Sequence, residues 1–143
     1  MALDPQSFHG LATFRYALRR FLAASEAISR AAGVTQQQYQ ALLAIKTWPE
    51  KTMTMKDLAE QLLLTHHAAV QLVNRLAKAG MAERAASHAD GRSVLLKLTP
   101  EGETLVDGLA SEHLREMQRQ EPLLARSLRR LRAISPEHEH DES

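Results

Sequence analysis

The chain has 143 residues, 44% hydrophobic and 24% charged, which suits one globular domain or two small sub-domains sharing a core. Cysteine is absent, so disulfides, thiolate metal sites, cysteine nucleophiles and thiol-based redox sensing drop out together. No stretch approaches the ~20 apolar residues needed to span a bilayer, and no basic-then-apolar leader is present, so a soluble cytoplasmic protein is expected.

The net charge of +1 is more informative as a distribution. Residues 1–49 carry five basic side chains against two acidic ones, residues 50–100 seven against five, and residues 101–143 six against ten. A mildly basic front and an acidic end are compatible with a nucleic-acid surface in the first two-thirds, although many soluble proteins show as much.

Helical signals dominate from the start. Leu11, Phe14, Leu18, Phe21 and Ile28 form a narrow seam suited to helix-on-helix packing, within a chain or between chains. Ala31-Ala32-Gly33-Val34 interrupts it. Thr35 and Gln38 then read as a capping box, opening a helix that buries Tyr39, Leu42 and Leu43 and ends at Trp48-Pro49. A second box, Thr54 with Asp57, precedes the stripe Met55, Leu58, Ala59 and Leu62. Thr65 can cap another helix, with Ala69, Leu72, Val73 and Leu76 as its stripe and Gly80 as its stop. Two short helices three or four residues apart make a helix-turn-helix.

The period then changes. Residues 81–86 and 93–98 read as short strands joined through Asp90-Gly91, a hairpin wing. Thr99-Pro100-Glu101 opens a helix that runs to about Gln120, Glu121-Pro122 breaks it, and Leu124, Leu128 and Leu131 mark a last helix. The polar, acidic residues from 135 onward are expected to be disordered. The fold class is therefore mainly α with a small β-hairpin wing.

The chemistry is carried by the helix from Thr65 to Ala79. At about 100° per residue, His67, Gln71, Asn74 and Lys78 lie opposite the apolar stripe, with Arg75 beside them. Such donors and acceptors suit base edges in a major groove, and the helix N-terminus offers N–H groups to a phosphate. Any amphipathic helix has a solvated polar face; here the capped helix before it and the hairpin after it favour the DNA reading. Arg92, beside the turn and near Asp90, suits a narrow minor groove. Lys56 and Arg84 are candidate phosphate contacts or plain surface charge.

Asp90-Gly91-Arg92 and Leu98-Thr99-Pro100-Glu101-Gly102, with Asp57-Leu58-Ala59-Glu60, Leu72-Val73-Asn74-Arg75-Leu76 and Gly80, resemble the signature of the MarR family of winged helix-turn-helix regulators. The resemblance implies a homodimer binding double-stranded DNA at a pseudo-palindrome, with Arg92 in the minor groove. It implies an N-terminal dimerisation helix over 1–34, a DNA-binding lobe over 35–100, C-terminal dimerisation helices over 101–134 and an acidic tail over 135–143. The candidate interface comprises Lys56, Thr65, His66, His67, Gln71, Arg75, Arg84, Asp90 and Arg92. A small-molecule effector of unassigned identity fits the same picture, near Phe14, Tyr16, Tyr39 and Trp48, most of which read as core. Where many relatives have small residues followed by an arginine, this chain has His66, His67, Ala68 and Gln71, a difference that bears on the operator sequence.

No catalytic constellation, cofactor or metal is expected. Adjacent His66 and His67 diverge on a helix, His113 with Glu112 and Glu116 reads as surface charge, and Glu137–Asp141 reads as a flexible acidic tail with ligand-type residues. The competing reading is a winged-helix module that senses a ligand or binds protein without specific DNA binding.

Overall fold

The computed structural model describes residues 3–86 and 94–134. Five helices and one hairpin follow in chain order: α1 (Pro5–Ala31), α2 (Gln36–Thr47), α3 (Met55–Leu62), α4 (His66–Lys78), β1 (Ala82–Ala86), β2 (Val94–Leu98) and α5 (Pro100–Ala133). A short 3₁₀ turn, Pro49–Lys51, follows α2. The chain separates into two compact units, one spanning Glu26–His113 and one built from the segments ending at Ser25 and beginning at Leu114.

The winged unit forms where the caps direct it. The Thr35 hydroxyl accepts from the Gln38 amide while the Gln38 side chain accepts from the Thr35 amide, and Thr54 and Asp57 repeat the arrangement at α3. Both boxes satisfy amides that the first helical turn leaves without partners. β1 and β2 are antiparallel, with Ala82 opposite Leu98 and Ala86 opposite Val94. The Leu96 amide donates to the Met53 carbonyl at 2.8 Å, so the segment between α2 and α3 lies along the open edge of the hairpin. Leu42, Met53, Leu58, Val73, Leu76, Leu96 and Val106 are fully buried, and the core draws on α2, α3, α4, β2 and the first part of α5.

Three helices of this unit or entering it end in the same way. At the ends of α1, α3 and α4, the amides of Val34, Leu64 and Met81 reach back five residues to the carbonyls of Ser29, Ala59 and Leu76. Each cap requires one residue with positive φ. Gly33 and Gly80 fill it after α1 and α4, at 81° and 74°; Leu63 fills it after α3, at 56°.

The second unit is helical and poor in large buried side chains. α1 carries two neighbouring stripes at steps of three and four. Ser7, Gly10 and Ala17 are buried on one, with Phe14 and Phe21 half-buried among them, while Phe8, Leu11, Leu18 and Leu22 stand exposed on the other. The expected single seam thus divides, with Phe14 and Phe21 turned inward and Leu11 and Leu18 outward.

Two expectations are corrected here. Glu121-Pro122 does not break the C-terminal region into two helices, because α5 is continuous through Pro122. A proline inside a helix forfeits one backbone hydrogen bond and strains one turn, about 3 kcal/mol. Its flanks, rich in Arg, Glu, Gln and Leu, are strong helix formers that carry the helix through. His113 is not surface charge: it is 5% exposed and continues the inward stripe of Val106 and Leu109. The expected acidic tail, residues 135–143, lies outside the described residues.

Candidate nucleic-acid interface

α4 divides into two faces as its periodicity requires. Ala69, Leu72, Val73 and Leu76 are buried, whereas His66, His67, Gln71, Asn74, Arg75 and Lys78 are exposed. The helix contains no acidic residue, so its outer face presents two permanent cations and neutral hydrogen-bonding groups together. Glutamine and asparagine amides both donate and accept, and arginine only donates, which covers the repertoire needed to meet base edges and phosphates.

The N-terminus of α4 is built as an open donor site. Thr65, the N-cap, accepts from the Ala68 amide at 3.1 Å. The amides of His66 and His67 precede the first helical hydrogen bond and have no acceptor within the helix. They point along the positive end of the helix dipole, where an anion is favoured. The Thr65 hydroxyl can also donate its proton, since the cap uses only an oxygen lone pair.

Arg84 joins this surface from β1. Its Nη2 donates to Asn74 Oδ1 at 2.7 Å, which holds the guanidinium against the outer face of α4. Arg84 is therefore tied to Asn74 rather than standing as an isolated surface charge. The bond occupies the Asn74 carbonyl and leaves the amide NH₂ as that residue's outward donor. Lys56 is exposed in the first turn of α3. Asp90 and Arg92 fall within 87–93, outside the described residues.

Sequence reasoning passes over one residue beside these elements and reads another as surface charge. Leu63, between α3 and α4, is 92% exposed in a left-handed backbone conformation. No composition signal marks it, because leucine is not a residue that advertises positive φ. The other is His113, whose ring stacks on Tyr39 with centroids 4.0 Å apart and planes 6° from parallel. Its Nδ1 lies 2.8 Å from the Leu109 carbonyl, which can only accept, so Nδ1 carries the proton. Burial raises the Tyr39 phenol above its usual value of 10.0, keeping it neutral in this pair. The three-and-four spacing of Val106, Leu109 and His113 was the available clue.

Among the described residues, no cluster of three His, Cys, Asp or Glu side chains could hold a metal ion, and no helix is long and apolar enough to cross a membrane.

Comparison with known proteins converges on one family. A MarR family model matches residues 32–93, the stretch containing the helix-turn-helix and the first strand of the hairpin. The organic hydroperoxide resistance transcriptional regulator of Bacillus subtilis (strain 168) is 38% identical over 72 residues, covering 50% of this chain and 48% of that protein. The match thus spans about half the length of this curated relative. A mutant of S. aureus MepR bound to an oligodeoxyribonucleotide shares the fold with a TM-score of 0.66 at 19% identity, over 85% of this chain and 95% of the other. NadR in complex with 4-hydroxyphenylacetate superposes with a TM-score of 0.66 at 28% identity, over 80% and 79% of the two chains. Over residues 32–93, its winged helix-turn-helix, the chain matches the MarR family of transcriptional regulators.

Proposed function

We propose that this protein is a duplex-DNA-binding transcriptional regulator acting as a homodimer, with α4 reading the major groove and the hairpin reaching the flanking minor groove. The observation that carries this reading is the acid-free outer face of α4, on which Gln71, Arg75 and Lys78 are joined by Arg84 through its bond to Asn74. Phosphate contacts come from Lys56, Thr65, Arg75 and Arg84, and base readout mainly from His67 and Gln71. Arg92, two residues after Asp90 in the sequence, is the minor-groove contact of this proposal. Glutamine favours adenine, which sets this chain apart from relatives with an arginine near the start of the helix.

The dimer is supported by exposed apolar stripes in the helical unit. Phe8, Leu11, Leu18 and Leu22 on α1, and Leu114, Met117 and Leu128 on α5, leave apolar surface in water that a second copy would cover. Two copies related by a twofold axis present two α4 helices to half-sites about one helical turn apart. Repression is the simplest outcome of such occupancy. Release by a small-molecule effector belongs to the same proposal, supported by NadR, a similar fold solved with 4-hydroxyphenylacetate. A ligand acts only through its different affinity for the DNA-competent and DNA-incompetent states.

The test is fluorescence anisotropy on duplex fragments selected from genomic DNA, at several salt concentrations. Binding should weaken steeply with salt; Gln71→Ala should cost about 1–3 kcal/mol on the selected sequence and little on random DNA. Arg92→Ala should lower the salt slope by roughly one. If the wild-type protein shows no salt-dependent binding to any duplex, the winged unit serves as a ligand-sensing or protein-interaction module and the proposal is wrong.

A further inference from the structure

Leu63 combines two unfavourable features. It is a large apolar side chain 92% exposed to water, and its backbone lies at φ 56°, ψ 43°. Exposure alone would be ordinary, since single apolar residues on a surface need no explanation. The backbone is another matter. Left-handed conformations disfavour residues with a Cβ, and glycine is the usual occupant of this helix-ending position.

The chain itself supplies the control. The same cap, with an amide reaching five residues back, ends α1 and α4, and both times the positive-φ position holds glycine: Gly33 and Gly80. Of these three caps, that between α3 and α4 alone holds leucine. Glu50 and Lys51 also have positive φ, but their charged side chains lose nothing by standing in water. Leu63 is the described residue where backbone strain and apolar exposure coincide.

Its position says what it meets. It lies two residues before Thr65, the N-cap of α4, and three and four before His66 and His67, whose amides open the donor site of that helix. We infer that Leu63 is a further DNA contact, packing its side chain on the apolar edge of the duplex beside the α4 N-terminus. Its counterpart is either a deoxyribose face or the C5-methyl of a thymine, the apolar group displayed in the major groove. This rests on the reading of α4 as the DNA-facing helix. Burial of the leucine on binding would recover the favourable transfer of apolar surface that the free protein forgoes.

Leu63→Gly separates fold from contact, because it removes the side chain and the strain together. The variant should melt about 2–4 °C higher than the wild type, as relief of a strained cap predicts, yet bind the selected duplex about 5- to 10-fold more weakly. Leu63→Met should restore affinity to within about twofold, since it returns an apolar side chain of similar volume. Replacing thymines of the site with deoxyuridine distinguishes the counterpart. If the difference between wild type and Leu63→Gly disappears, the thymine methyl is the partner; if it persists, the sugar is. If Leu63→Gly binds as tightly as the wild type while Gln71→Ala loses affinity, the Leu63 contact is refuted and the α4 reading stands. If the wild type binds no duplex, both fall.

Discussion

The two units of this molecule solve the problem of burying apolar surface in opposite ways. The winged unit, Glu26–His113, encloses Leu42, Met53, Leu58, Val73, Leu76, Leu96 and Val106 completely. The helical unit buries mainly small side chains, namely Ser7, Gly10, Ala17, Ser25 and Ser127. Of the eleven large hydrophobic residues exposed among the described ones, nine belong to it, the exceptions being Leu63 and Val94. Small residues let helices approach closely but release little apolar area from water. The contrast teaches that the winged unit is held by its own core, whereas the helical unit presents surface that a second copy can complete.

The comparison is broken most directly at the core of the winged unit. Leu42 on α2 is wholly buried in the cluster with Leu58, Leu76 and Leu96. Leu42→Ala removes its packing and leaves a cavity, so unfolding free energy should fall by about 2–5 kcal/mol, measured by urea denaturation. A loss below about 1 kcal/mol would mean that the core is not what stabilises this unit.

The second test addresses the helical unit. Leu11 and Leu18 are 44% and 37% exposed and seven residues apart on one face of α1. Leu11→Glu with Leu18→Glu places two charges on that stripe while sparing the inward residues Gly10 and Ala17. Sedimentation should show the wild type at twice the 16.0 kDa chain mass and the double variant at the single-chain mass. The dimer dissociation constant should rise about 100-fold or more, since burying unpaired charge is strongly unfavourable. An unchanged dimer would place the interface elsewhere.

How far these features could be read in advance varies with their physical origin. Caps and turns are local, so Thr35 with Gln38, Thr54 with Asp57, and Thr65 were all visible as short-range patterns and hold their helices as expected. The exposed face of α4 follows from one helical period. The bond between Arg84 and Asn74 does not, because it links a strand to a helix across ten residues and depends on how the hairpin packs. His113 was misread because Glu112 and Glu116 stand beside it, and an adjacent charge says nothing about which side of a helix a residue faces. The continuity of α5 through Pro122 was missed for a similar reason: a breaker residue sets a local penalty, and neighbouring propensity can exceed it. Leu63 left no trace, since its left-handed backbone is imposed by the cap rather than by the residue itself.

The smallest expected effect sharpens the comparison by showing what does not hold the winged unit together. Lys46 on α2 lies 2.6 Å from Glu103 and 3.0 Å from Asp107, one turn apart on α5. The hydrogen bond to Glu103, then that to Asp107, raises the lysine above its usual value of 10.5. A raised folded-state value means the ammonium is favoured by folding. The contribution is therefore present in full at neutral pH, below the unfolded value, and is lost as pH rises through 10.5 and past the folded one. All three side chains are at least a third exposed, so water and salt screen the pair strongly. Lys46→Met keeps the aliphatic stem and should shift thermal unfolding at pH 7 far less than Leu42→Ala does. The small difference between wild type and Lys46→Met should shrink further in roughly 1 M salt and vanish above the titration of the lysine. A salt-insensitive shift as large as that of Leu42→Ala would mean that this ion pair, rather than apolar burial, fastens α2 to the start of α5.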